Sequence, residues 1–99
     1  MADARLVLRS RTSVHDGVVE MVVWGLPRPL PPSEHAFKYR LVFVRDGKRL
    51  VGYDNERGKG DHKHIGEREI KYRYTDMDTL IADFLGDVER QARSKHEQK

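Results

Sequence analysis

Apolar and polar residues alternate over much of the chain, in short blocks separated by Gly and Pro. In residues 4–10 (ARLVLRS), Leu6 and Leu8 fall on one side and Arg5 and Arg9 on the other, the period of a strand. Residues 18–24 (VVEMVVW) are rich in β-branched side chains with one charge. Asp16-Gly17 lies between them and predicts a hairpin turn, because Gly tolerates positive φ. Residues 37–45 (FKYRLVFVR) alternate again, with Phe37, Tyr39, Leu41 and Phe43 on one face. Asp46-Gly47 then predicts a second hairpin, returning through residues 48–53 (KRLVGY). Residues 69–74 (EIKYRY) set Ile70, Tyr72 and Tyr74 against Lys71 and Arg73 and read as a fifth strand.

Two segments break this period. Residues 25–33 (GLPRPLPPS) carry Pro27, Pro29, Pro31 and Pro32, which cannot donate ladder hydrogen bonds, so they form an extended connection. After Tyr74, the apolar residues Met77, Leu80, Ile81, Phe84, Leu85 and Val88 recur at three and four positions, the mark of an amphipathic helix. Thr75-Asp76-Met77-Asp78 resembles a capping box at its start, with Thr75 as the cap. An antiparallel sheet needs one face covered, and this helix is the element able to cover it. The expected fold is α+β: a twisted antiparallel sheet of about four to five strands, built from two hairpins, with one C-terminal helix packed on it. Residues 1–93 form one domain, and 94–99 fray. Trp24, Phe37, Tyr39, Phe43 and Phe84 are the aromatic core candidates.

Composition narrows the class. Ninety-nine residues allow one modest core. No apolar run reaches the length of a membrane span, and the N-terminus MADARLVLRS lacks the apolar region of a signal peptide. The chain has no cysteine, which excludes disulfides and thiolate metal sites and fits a cytoplasmic location. The net charge of +3 is mild but localised. Residues 45–73 hold nine Lys/Arg and six Asp/Glu, while the rest of the chain holds ten of each sign. A basic region of this kind attracts phosphates.

That region contains YDNERGKGDHKHIG, residues 53–66. Read as a loop, it brings Lys59 between Gly58 and Gly60, without the spacing of a P-loop. His62 and His64 are two apart, so in an extended segment both imidazoles point to the same face. One neutral and one charged imidazole can act as base and acid in transesterification of RNA, with no metal and no cofactor. Lys59 or Lys63 would stabilise the charge developing on phosphorus, and Asp61 or Asp54 would fix a histidine tautomer. Tyr53 or Tyr72 would stack a base, with Asp54, Asn55 and Arg57 as further substrate contacts. Two other readings use the same residues. His62, His64, Asp54 and Asp61 make a two-nitrogen, two-oxygen metal set for a metal-dependent nuclease, against which Lys59 and Lys63 argue by charge. A non-catalytic basic module would grip nucleic acid or an acidic partner through Lys59 and Lys63. A solvated polar turn accounts for the same composition without any chemistry.

The strings Tyr53-Asp54-Asn55, Gly58-Lys59-Gly60-Asp61-His62-Lys63-His64-x-Gly66, Tyr72-x-Tyr74 and Asp83-Phe84 resemble the TumE family of toxin–antitoxin proteins. EMVVW (20–24) and FKYR (37–40) are similar as well, and the resemblance spans residues 5–90. Tyr74 stands where that pattern has Phe. The resemblance implies a bacterial toxin of a type II toxin–antitoxin system, encoded beside a helix-turn-helix antitoxin that neutralises it. It does not itself supply a reaction, so the ribonuclease reading rests on the residues above. An exposed edge strand would also permit a homodimer by strand pairing.

Overall fold

The computed structural model describes residues 3–97, with side chains to residue 93. Six strands precede the helix: β1 (Arg5–Val14), β2 (Gly17–Gly25), β3 (Phe37–Arg45), β4 (Lys48–Glu56), β5 (Gly60–Ile65) and β6 (Arg68–Lys71), followed by α1 (Met77–Glu97). They form one sheet in the order β1-β2-β3-β4-β5-β6, each strand antiparallel to its sequence neighbour. The class is α+β with a C-terminal helix on an antiparallel sheet, as expected. The expected tail 94–99 falls on α1 residues 94–97, whose side chains are not described, and on 98 and 99, which lie outside the described residues.

The strand count is corrected from four or five to six. The residues read as a loop are strand: β4 continues through Asp54 and Asn55 to Glu56, and Gly60–Ile65 pairs with β4 on one side and β6 on the other. The expected fifth strand ends at Lys71, so Tyr72 and Tyr74 sit in the connection to α1. The helix cap also moves by one residue. Asp76 Oδ1 accepts the Thr79 N–H at 2.8 Å, and the Asp76 carbonyl accepts the Leu80 N–H at 3.0 Å, so Asp76 is the cap, not Thr75.

Both Asp-Gly pairs mark hairpins, but for different reasons. At the second, Asp46 and Gly47 take positive φ of 54° and 74°. At the first, positive φ falls on His15 and Asp16, at 51° and 61°. Gly17 is needed there for space, since a Cβ would lie 2.5 Å from the Val44 carbonyl oxygen.

One face of the sheet carries the core. Val19, Val23, Tyr39, Leu41, Phe43, Val51 and Tyr53 pack with Leu80, Phe84 and Val88 of α1. Trp24, expected in this core, is only half-buried: it alternates with Val23 on β2 and so faces the other side. The proline connection folds back over the end of the sheet. Leu26 N–H donates to the Ala36 carbonyl and Gly58 N–H to the Pro31 carbonyl, each at 2.8 Å, which brings Ser33 and His35 beside the β4–β5 end.

Candidate functional site

Register determines which of the candidate residues meet. Across β4–β5, Gly52 is opposite His64, Tyr53 opposite Lys63, Asp54 opposite His62 and Asn55 opposite Asp61. Across β5–β6, His62 is opposite Lys71 and His64 opposite Glu69. Side chains alternate along a strand. Asp54, His62, His64 and Glu69 therefore share the face turned away from α1, and Tyr53, Asn55, Asp61 and Lys63 share the helix face.

On the open face, His62 is the centre and is only 3% exposed. Its Nε2 is 2.5 Å from Asp54 Oδ1, 3.6 Å from Glu69 Oε2 and 3.8 Å from Glu56 Oε1. Its Nδ1 lies 3.1 Å from the Gly60 carbonyl oxygen, which only accepts, so Nδ1 holds the proton there. His64 Nε2 is 4.0 Å from Glu69 Oε2, and the two imidazoles meet edge-on with centroids 5.2 Å apart. Burial first, then the nearby Arg49 charge, pushes the His64 imidazole below its usual range, which leaves it neutral at pH 7. Lys59 Nζ pairs with Glu69 Oε2 at 2.5 Å, and this hydrogen bond holds the Glu69 carboxyl below its ordinary range. Asp54 Oδ1 is buried and makes no hydrogen bond, although His62 Nε2 lies 2.5 Å away.

The helix face is different. Asp61 accepts hydrogen bonds from Ser33 Oγ at 2.5 Å, His35 Nε2 at 2.7 Å and Tyr39 OH at 2.7 Å. Burial pushes the Asp61 carboxyl up, but these three donors outweigh it and hold it below the usual carboxylate range. His35 Nδ1 accepts from the Phe37 N–H at 3.2 Å, and its ring stacks on Tyr74 with centroids 3.8 Å apart. Asn55, fully buried, accepts from the Tyr39 N–H and donates to the Phe37 carbonyl. A cavity of about 370 Å³ opens beside His35, Asp61 and Tyr74. Further along, Asp87 of α1 accepts from the Tyr53 hydroxyl, from Lys63 Nζ at 3.1 Å and from Arg90 Nη2 at 2.6 Å. Tyr72 OH donates to Asp83 Oδ2 at 2.6 Å.

The expected residues thus divide. His62, His64, Asp54 and Lys59 come together, Lys59 by way of Glu69. Asp61 does fix a histidine, but the histidine is His35, on the other face. Lys63 points to α1, and Tyr53 and Asn55 are in the interior, where their polar atoms are engaged. Arg57 is exposed in the β4–β5 turn, and Tyr72 leans edge-on against Tyr53 at 5.0 Å. Sequence reading missed Glu69 as a neighbour of the histidines. Period-two spacing from a sixth strand would have found it.

A small α+β domain with a histidine- and carboxylate-bearing open sheet face is the class that fold and site define. The chain matches the family described as Toxin TumE over residues 1–92, and it belongs to that family. Membership makes it a toxin and implies a cognate antitoxin as its partner. No curated protein and no solved structure matches the chain. Among the described residues, no helix is long and apolar enough to cross a membrane.

Proposed function

We propose that this toxin acts by cutting RNA, and that the open face around Asp54, His62 and His64 is where it does so. The observation that carries the reading is the convergence of two imidazoles and a carboxylate, one of whose oxygens is buried without a hydrogen bond, on a face rimmed by cations. Arg40 is exposed beside Asp54 in register, Lys71 is exposed opposite His62, and the Arg49 charge acts on His64. These groups attract a polyanion to a centre that holds an unprotonated imidazole, the group that phosphodiester cleavage needs for proton removal. The alternative of a purely basic binding module fits less well, because Lys59 and Lys63 are both engaged in ion pairs. A helix-turn-helix antitoxin remains the partner of this proposal. The edge strand β1, with Leu6 and Val7 exposed, is the edge through which the proposed homodimer would pair.

The test is cleavage of RNA by purified protein, wild type against His62→Ala/His64→Ala, in parallel with growth inhibition in cells. Loss of both cleavage and inhibition in a folded double variant is the expected result. Full toxicity of that variant would overturn the proposal.

A further inference from the structure

We propose that Asp54, His62 and His64 form a site for a divalent transition-metal ion, with Glu69 as an exchangeable fourth ligand. One ligand atom from each of the first three residues lies within 4.8 Å of the others. Glu69 Oε2 stands 3.6 Å from His62 Nε2 and 4.0 Å from His64 Nε2. A tetrahedral ion with bonds of ~2.0–2.1 Å holds its ligand atoms ~3.3 Å apart, so these separations are close to those a bound ion imposes. The Asp54–His62 pair, at 2.5 Å, opens by ~0.8 Å to admit it.

Three further observations point the same way. Asp54 Oδ1 is buried with no hydrogen-bond partner, although a buried carboxylate oxygen ordinarily has one. A cation supplies it. The ligands are also oriented from behind: His62 Nδ1–H donates to the Gly60 carbonyl, which turns Nε2 toward the cluster, and Lys59 holds Glu69. Finally, the charge argument against a metal is weaker than the sequence suggests, although Arg40, Lys71 and Arg49 still border this face. Lys63 lies on the helix face against Asp87 at 3.1 Å, and Lys59 is paired with Glu69 at 2.5 Å. Asp61, a ligand candidate in the sequence, is bound to Ser33, His35 and Tyr39 on the other face, and Glu69 takes its place.

Two imidazoles with carboxylates suit Zn²⁺ or Mn²⁺, whereas Mg²⁺ and Ca²⁺ prefer all-oxygen sites. This inference deepens the proposed function, since the ion would be the cofactor of that same face. With His62 and His64 as ligands, the proton-removing role would pass from an imidazole to a water activated by the ion. The binding itself stands on the geometry alone. The experiment is calorimetric titration of EDTA-stripped protein with Zn²⁺, Mn²⁺ and Mg²⁺, paired with RNA cleavage in EDTA and after metal return. One Zn²⁺ per chain is expected, bound more tightly than Mn²⁺ and far more tightly than Mg²⁺. His64→Gln and Asp54→Asn, each shown folded by circular dichroism, should lose at least ~10-fold in Zn²⁺ affinity, while His15→Gln should bind as wild type. Absence of binding by any of the ions, or wild-type affinity in both ligand variants, would overturn the site. Cleavage in EDTA by protein that binds no metal would sink the metal site and leave the ribonuclease reading standing. Metal binding without cleavage of RNA would do the reverse.

Discussion

The two faces of the β4–β5 pair carry polar groups in equal measure but in opposite states. On the helix face each buried carboxylate is saturated. Asp61 takes three donors from side chains of the proline connection and β3, and Asp87 takes three from β4, β5 and its own helix. On the open face Asp54 Oδ1 has no donor, and His62 Nε2 has carboxylate oxygens at 2.5, 3.6 and 3.8 Å. A saturated buried network rigidifies a fold, while a buried polar group left unpaired is costly. The difference separates a satisfied network from an open cluster within residues that are consecutive in the chain, and the proposed chemistry is placed on the open one.

The largest effect expected from this division lies in the core under α1. Phe84 is fully buried and meets Tyr53 edge-on at 5.6 Å. Phe84→Ala should destabilise the protein by ~3–5 kcal/mol in urea denaturation, through lost burial and the cavity left behind. His64→Gln on the open face should stay within ~1 kcal/mol of wild type while losing cleavage. Equal destabilisation by the two changes would show that the open face is also part of the structural framework.

Next in size is Asp61. Its oxygens accept three hydrogen bonds, and an amide in its place turns one acceptor into a donor facing another donor. Asp61→Asn should cost ~1–3 kcal/mol, read by the shift in denaturation midpoint. Activity per folded molecule should persist, because Asp61 and the histidines of β5 face opposite ways. If instead Asp61→Asn abolished cleavage at full stability, the centre would have to be moved to the cavity beside His35.

The sequence made the strands legible where one face is apolar. β2, β3 and α1 all announce themselves, because each buries a stripe at its own period. β5 does not. GDHKHI alternates in the folded protein, but its helix-facing residues Asp61 and Lys63 are polar like His62 and His64 behind them, so no apolar period exposes the strand. The shared face of the two histidines was nevertheless legible from their spacing, and Asp54 was among the residues named. The division of Lys59 from Lys63 was not, since it depends on reading Lys63 as strand. The Ser33–His35–Asp61–Tyr39 network had no local signal at all: it exists because the proline connection folds across the sheet end, a tertiary event.

The smallest of these effects concerns Asp87, and it separates the faces by pH. Burial raises the Asp87 carboxyl, but hydrogen bonds from Tyr53, Arg90 and Lys63 lower it more, and it rests below the ordinary carboxylate range. A carboxyl depressed on folding contributes stability that is fully present above its unfolded pKa, ~3.9. That contribution is lost as pH falls through the lower folded value. Asp87→Asn should therefore be less stable than wild type by ~1 kcal/mol at neutral pH, at the low end because Lys63 and Arg90 reach water when released. The gap should be constant down to about pH 5 and close as acid protonates the wild-type carboxyl. Denaturation midpoints of the two proteins from pH 7 to pH 2.5 measure it. A gap that did not narrow at all between pH 5 and pH 2.5 would mean that Asp87 acts through packing rather than through its charge.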